Sequence, residues 1–254
     1  AFFVDCGLSY DGWNTGTTTI TLSGGTTYGY GEEIDITASA ALFAYPATTD
    51  VGDEIVYVDD GIRYAIRITS TSSTTSAKGI PSKTIPAAYR SARTDWGFAR
   101  STMAGLSHLE GETVAILNDG NVEPQNTVAS GSVTLSVPGV VVHVGLPIVA
   151  DMETLDLSIS GTETIRDKYK TVNKVGWQVE NSRGLWFGQD FTNMVEWKQR
   201  YDETMDEPIQ PYTGFFEEVI PASTGKTVTI CARQSDPLPV SILAVMPRVD
   251  IGGA

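Results

Sequence analysis

The sequence predicts an all-β chain: a β-sandwich-like host domain, residues 1–20 plus 104–254, interrupted by an inserted small β-barrel-like domain, residues 21–103. Three observations predict it. Apolar and polar residues alternate with a period of two along most of the chain, the pattern that sends successive side chains to opposite faces of a strand. Helical spacing is confined to three short stretches. Charge is unevenly spread: residues 23–103 carry nine acids and seven bases, whereas residues 104–254 carry twenty acids and ten bases. The acidity therefore belongs to the host, and the inserted residues are instead rich in Thr and Ser.

Taken in order, the chain opens in mid-strand on Phe2, Phe3 and Val4 with no initiator Met, as expected of a piece cut from a longer polypeptide. Glu54 to Ser70 (EIVYVDDGIRYAIRITS) is the clearest hairpin. Asp59-Asp60-Gly61 supplies its turn, and Tyr64, Ile66 and Ile68 alternate with Arg63, Ala65 and Arg67, one face buried and the other wet. Ser70 to Ala77 (STSSTTSA) reads as a solvated loop. A second alternation over Thr113 to Leu117 turns at Asn118-Asp119-Gly120 and is followed by Val133, Leu135 and Val137, before Pro138-Gly139 breaks the strand. Val140 to Val149 (VVVHVGLPIV) is too short for a membrane span and fits a central strand buried on both faces.

Lys174 to Phe187 reads as two strands around Glu180-Asn181-Ser182-Arg183-Gly184, with Val175, Trp177 and Val179 on one face and Leu185 and Phe187 across the turn. The last strands are Thr227 to Ala232 and Val240 to Met246. Ala38 to Tyr45, Pro86 to Arg93 and Phe191 to Arg200 have apolar spacing for short helices of at most three turns.

Composition bounds the function. A chain of 254 residues with 31 acids, 17 bases and a formal charge of -14 repels nucleic-acid phosphates and anionic membranes, which disfavours a DNA reader. No run of 18 apolar residues occurs, so no membrane span is expected. Cys6 and Cys231 sit in apolar strand-like runs and read as two buried thiols, with a disulfide between them left open. His143 lies inside an apolar strand. His108 follows Ser107, but neighbouring strand residues face opposite ways, so the two do not make a nucleophile and its base. No metal, phosphate-loop or hydrolase motif is present, and neither catalytic residues nor a cofactor is expected. Asp202 to Glu207 (DETMDE) is dense in carboxylates but lacks the spacing of a calcium loop and reads as a solvated surface loop. Trp13, Trp177, Trp186, Trp197 and Tyr212 are the aromatic side chains that an exposed sugar platform would use, although Trp in alternating strands more often packs in a core.

Several ordered stretches carry a resemblance. AFFVDCGLSYDG (1–12), GLSHLEGETVAILNDGNV (105–122), VTLSVPGVVVHVGLPI (133–148), VGWQVENSRGLWFG (175–188) and SDPLPVSILAVMPRVDIGG (235–253) resemble the C-terminal region of phage tail nozzle proteins, also called tail tubular protein B or packaged-DNA stabilisation proteins. In the simplest members the YDG segment runs almost directly into GLSHLEG; here residues 19–104 intervene. The intervening ITLSGG, EIDITASAALF, DVGDEIVYVDDGIRYAIRIT and DWGFA resemble the first catalytic cysteine half-domain of ubiquitin-activating enzymes. That likeness is one of scaffold, because the insert contains no cysteine and cannot supply a thioester nucleophile.

The resemblance implies a virion structural protein of a podovirus tail, forming a hexameric ring that closes the DNA channel and passes the viral genome on ejection. Its implied partners are other copies of itself, a tail adaptor, tail fibre or tailspike proteins, and DNA sliding through the lumen without sequence-specific binding. An acidic wall suits that role, since each basic contact would add counterion-release affinity and stall sliding. Ring contacts would be heterologous, head to tail. The alternative is a host-surface or glycan-binding module at the tail tip. Under the insertion scheme, joining Thr18 to Gly105 should leave a folded host.

Overall fold

The computed structural model describes residues 4–59, 61–158, 168–199 and 208–252. Strand is the dominant regular structure; the helical pieces among the described residues are single 3-10 turns at Ala87–Tyr89 and Ser107–Leu109. Two compact units divide the chain: Cys6–Leu146 with Thr204–Pro208, and Pro147–Glu203 with Ile209–Ala254 and Ala1–Asp5.

The first unit is built from β1 (Val4–Asp11), β2 (Ile20–Ser23), β3 (Ile34–Ala38), β4 (Glu54–Asp59), β5 (Ile62–Ser73), β6 (Ser76–Pro81), β7 (Gly97–Ala104), β8 (Thr113–Asn118), β9 (Asn121–Thr127), β10 (Ser132–Gly139) and β11 (Val141–Pro147). One sheet has the order β1-β11-β8-β9, so the first strand does join chain beyond residue 104. The other has the order β10-β7-β4-β5-β6-β3-β2. Its far strand curls back, because Ile20 and Arg93 exchange backbone hydrogen bonds of 2.9 and 3.1 Å just before the chain enters β7.

The inserted residues have a core of their own. In the β4–β5 hairpin Ile55 opposes Ile66 and Tyr57 opposes Tyr64, so the period-two pattern turns these side chains to one face. There they meet Ile20, Ile34, Ile36, Ile68 and Phe98. A second core holds Leu8 and Tyr10 together with Met103, Leu106, Val114, Ile116, Val133, Leu135, Val142 and Val144. β10 serves both assemblies. Its backbone pairs with β7 of the inserted sheet, while its Val133 and Leu135 side chains enter the second core. The boundary between the two compact units lies at Leu146/Pro147. Excising residues between Thr18 and Gly105 would remove β7, which supplies β10 with its strand partner and the second core with Met103.

The second unit contains β12 (Ala150–Glu153), β13 (Lys170–Ser182), β14 (Trp186–Gly188), β15 (Met194–Glu196), β16 (Tyr212–Gly225), β17 (Cys231–Gln234) and β18 (Ile242–Ile251). They form sheets of order β12-β17-β14-β15 and β16-β13-β18. Val175, Trp177 and Val179 from one sheet and Phe187, Ile230 and Ala232 from or beside the other share a single core, which is the sandwich arrangement. On the opposite face of β13, Gly176 carries no side chain. The Phe215 ring fills the space over it, and nearby Glu217 of β16 meets Arg248 of β18 across the middle strand at 2.8 Å, with Lys174 joining at 2.6 Å.

Several local expectations change. Ala38 to Tyr45 leaves β3 into turns, Pro86 to Arg93 makes one 3-10 turn, and Phe191 to Arg200 contributes the strand β15 in its described part. Short apolar spacings cannot form helix against the sheets' demand for strands. Ser70 to Ala77 is not a loop, since it forms the far end of the β5–β6 hairpin, a place where Thr-rich sequence is favourable. β8 is the strand buried on both faces, with Val114 to Asn118 all buried. β11 is also interior to its sheet, yet Ile148 and Val149 beyond it are exposed. Lys174 to Phe187 does form two strands around its turn, but β13 and β14 belong to different sheets. The Asn118-Asp119-Gly120 turn forms as expected. Asp119 and Gly120 both take positive φ, 46° and 77°, as a tight hairpin turn requires.

Candidate functional site

The concave surface richest in chemistry lies in the first unit, on the outward face of β4 and β5. Register places Glu54 opposite Arg67, Val56 opposite Ala65 and Val58 opposite Arg63. Because Val56 and Ala65 are small, Arg63 Nη2 extends along the strand to 3.2 Å from Glu54 Oε2, an ion pair without hydrogen-bond alignment. The same nitrogen donates to the Pro138 carbonyl at 3.0 Å. Burial pushes the Glu54 carboxyl above its usual range, and Arg63 and Arg67 oppose that shift. A depression of about 910 Å³ opens over this face, walled by Trp13, the Asn118–Glu123 turn and Val137–Val141. A second, of about 580 Å³, continues past Glu54 and Ser82 to Arg67 and Tyr30.

The carboxylates around the larger depression are engaged by the protein. Asp119 accepts the backbone N–H groups of Val140 and Val141, the closest contact being 2.7 Å. Glu123 accepts from Asn118 Nδ2 at 2.6 Å and from the Ser136 N–H at 2.7 Å.

A buried ionic cluster lies nearby. Asp50 and Asp53 are each 2 % exposed, and Arg100 Nη1 donates to both, at 2.7 and 2.9 Å. Ser101 donates to Asp53 through both backbone N–H and hydroxyl at 2.7 Å, and the Ala44 N–H donates to Asp50 at 2.7 Å. Every carboxylate oxygen of this cluster thus has a donor, as buried charge demands. Burial alone would lower the Arg100 pKa, but its hydrogen bonds to Asp50 and Asp53 carry it above its ordinary value. Such an arrangement fixes the chain after β3 against β7, and is structural.

Neither histidine pairs with a serine beside it in sequence. Ser107 and His108 lie in a 3-10 turn instead of a strand, and His108 Nε2 donates to the Cys6 carbonyl at 2.8 Å. His143 does sit on β11, half-buried, and burial lowers its pKa. Its Nδ1 is 2.7 Å from the Ser9 hydroxyl. This cross-strand Ser–His contact was invisible in the sequence because its partners are 134 positions apart.

Of the aromatic candidates, Trp177 and Trp197 are core residues, Trp197 stacking on Phe216 at 3.9 Å. Tyr212 donates to the Phe215 carbonyl and meets Trp197 edge-on. Trp186 is half-buried on β14, whereas Trp13 is 38 % exposed. Cys231 is buried as expected; Cys6 is exposed, on a backbone of positive φ. Asp202 to Glu207 lies outside the described residues. Among the described residues no group of three or more His, Cys, Asp or Glu side chains is placed to hold a metal ion. No protein-family profile and no curated protein matches the chain.

One carboxylate offers a pH readout. Glu32 accepts the backbone N–H groups of Thr26, Thr27 and Tyr28 and the Thr27 hydroxyl, and these bonds hold its pKa at about 2 against an ordinary 4.5. A depressed carboxylate pKa contributes stability that is present above 4.5 and lost as pH falls toward 2. Protection of the Thr26, Thr27 and Tyr28 amides, measured as exchange relative to the intrinsic rate at each pH, should therefore fall over that window. A carboxyl titration by NMR with its midpoint near the ordinary value would show the bonds to be absent.

Proposed function

We propose that the chain is a structural part of a bacteriophage tail, a nozzle or tail tubular protein whose copies close a ring around the DNA channel and pass the genome on ejection. The observation that carries the reading is where the motif residues fall. Val175, Trp177 and Val179 of VGWQVENSRGLWFG, with Leu185 and Phe187 after the turn, build the core of the second unit. Val240, Ile242, Val245 and Val249 of the SDPLPVSILAVMPRVDIGG stretch pack against that core. The resembling stretches are thus those that specify the sandwich, which is what a shared scaffold leaves in sequence.

Two further features support it. The formal charge of -14 makes a wall that DNA slides past without sticking. Ring closure also needs two unlike surfaces on each copy. β16 and β18 flank β13 antiparallel to it and so run parallel to each other, and neither has a strand beyond it among the described residues. Both edges present apolar side chains, with Val219 at 65 % and Leu243 at 61 % exposure.

Electron microscopy of the intact virion should find six copies of the full polypeptide around the tail axis, next to the adaptor. Light scattering across a dilution series should find this chain alone monomeric or weakly associating at micromolar concentration, since ring contact area is shared along a whole subunit. Copies arranged as trimeric fibres at the tail periphery would defeat the nozzle reading.

A further inference from the structure

We propose, resting on the ring reading above, that neighbouring copies meet through two unlike surfaces: the outward face of β16-β13-β18 on one copy and the apolar rim of the β4–β5 depression on the next. Side chains make this contact. Strand-to-strand continuation of the sheet is interrupted on both sides, because β18 carries Pro247 opposite Val175 and β16 carries Pro221 at its bulge, and proline has no N–H to extend a ladder.

The outward face is apolar and open. Register puts Phe215 beside Gln178, Val219 beside Lys174 and Met246 beside Gly176, on the side of β13 away from the Trp177 core. Phe215, Val219 and Leu243 are each at least half exposed, and Met246 is exposed as well. Gly176 joins the two flanking strands into one patch, since it has no side chain and both the Phe215 ring and Met246 Cβ lie over it. Large apolar side chains gathered on one open face mark a contact surface, whereas scattered ones do not.

The depression offers matching chemistry. Val140 closes its floor over Val56 and Ala65, while Val58, Val122 and Val137 stay exposed around it. Charge selects the partner. Along the two depressions Glu54, Asp119 and Glu123 are matched by Arg63, Arg67 and Lys83, and on the sheet face Glu217 is bonded to Lys174 and Arg248. Two chains of formal charge -14 repel each other, so copies approach best where each has its local charges matched and apolar surface to cover. Both surfaces meet that condition. They are also unlike, one an open sheet face and the other a recess of about 910 Å³, as a head-to-tail contact requires.

Sedimentation of the purified chain from micromolar to about millimolar concentration should show weak self-association, and the amide NMR shifts that move with concentration should map to both surfaces. Val219→Asp on the face and Val137→Asp on the rim should each weaken association by about tenfold or more. Both positions are exposed, so the circular dichroism spectrum should not change. Met246→Asp and Val122→Asp serve the same test if either first variant fails to fold. Mixed together, the face and rim variants should form a dimer and nothing larger, because each keeps the surface that the other has lost. The proposal is overturned by no association at millimolar concentration, by a variant that associates as the parent does, by a mixture that stays monomeric, or by shifts confined to one surface. A complementing mixture together with trimeric fibres at the tail periphery would sink the nozzle reading and leave this contact standing; six axial copies with a monomeric mixture would do the reverse.

Discussion

Replacing Asp156 by Ala should destabilise the second unit by roughly 3–5 kcal/mol, the cost of leaving a buried charge without its partner. Lys170 is 0 % exposed, and its ammonium donates to both Asp156 oxygens at 2.8 and 3.0 Å and to the Leu157 carbonyl at 2.9 Å. Asp156 also accepts the Val228 N–H at 2.9 Å, so the substitution orphans a backbone donor as well. Urea unfolding monitored by Trp fluorescence should show the midpoint of one transition fall sharply. Lys170→Met should cost much less, because a buried pair loses little when the charge that needs a partner is itself removed. Equal losses in the two variants would show that packing, not uncompensated charge, governs this position.

Arg100→Met should destabilise the first unit by about 2–3 kcal/mol, less than a fully enclosed pair because the Arg100 side chain is 34 % exposed. What remains is a pair of carboxylates, each 2 % exposed, that have lost their common cation. Their other donors, from Ala44 and Ser101, stay in place and limit the damage. Thermal unfolding followed by circular dichroism is the measurement. A change below 0.5 kcal/mol, the range of ordinary surface substitutions, would mean that solvent already screens this cluster.

These two ionic centres mark the reach of the sequence. The β4–β5 hairpin was legible because alternation and turn residues are both local signals. Arg100 finds Asp50 and Asp53 across 50 and 47 positions, and Ser9 finds His143 across 134, so no window of the sequence displays either group. Ser70 to Ala77 was misread because its composition carries no apolar signal, although strand pairing with β6 needs only backbone and tolerates Thr. The strip carrying Glu54, Arg63 and Arg67 was half visible. Its alternation announced a wet face, but only the fold shows that Trp13 and the Asn118–Glu123 turn make it concave.

The double role of β10 reaches past architecture into how the chain responds to load. Its hydrogen bonds tie it to the inserted sheet and its side chains to the neighbouring core, so a force applied to the insert is carried into the host partly as shear along this strand and partly through the backbone bonds that join Phe98 to Gly12 and Gly12 to Val140. Shear breaks many hydrogen bonds at once, whereas peeling breaks them one by one. The insert is accordingly fastened like a rivet, not hung like a tag: it cannot be exchanged for another module unless the replacement also offers β10 an edge to hold.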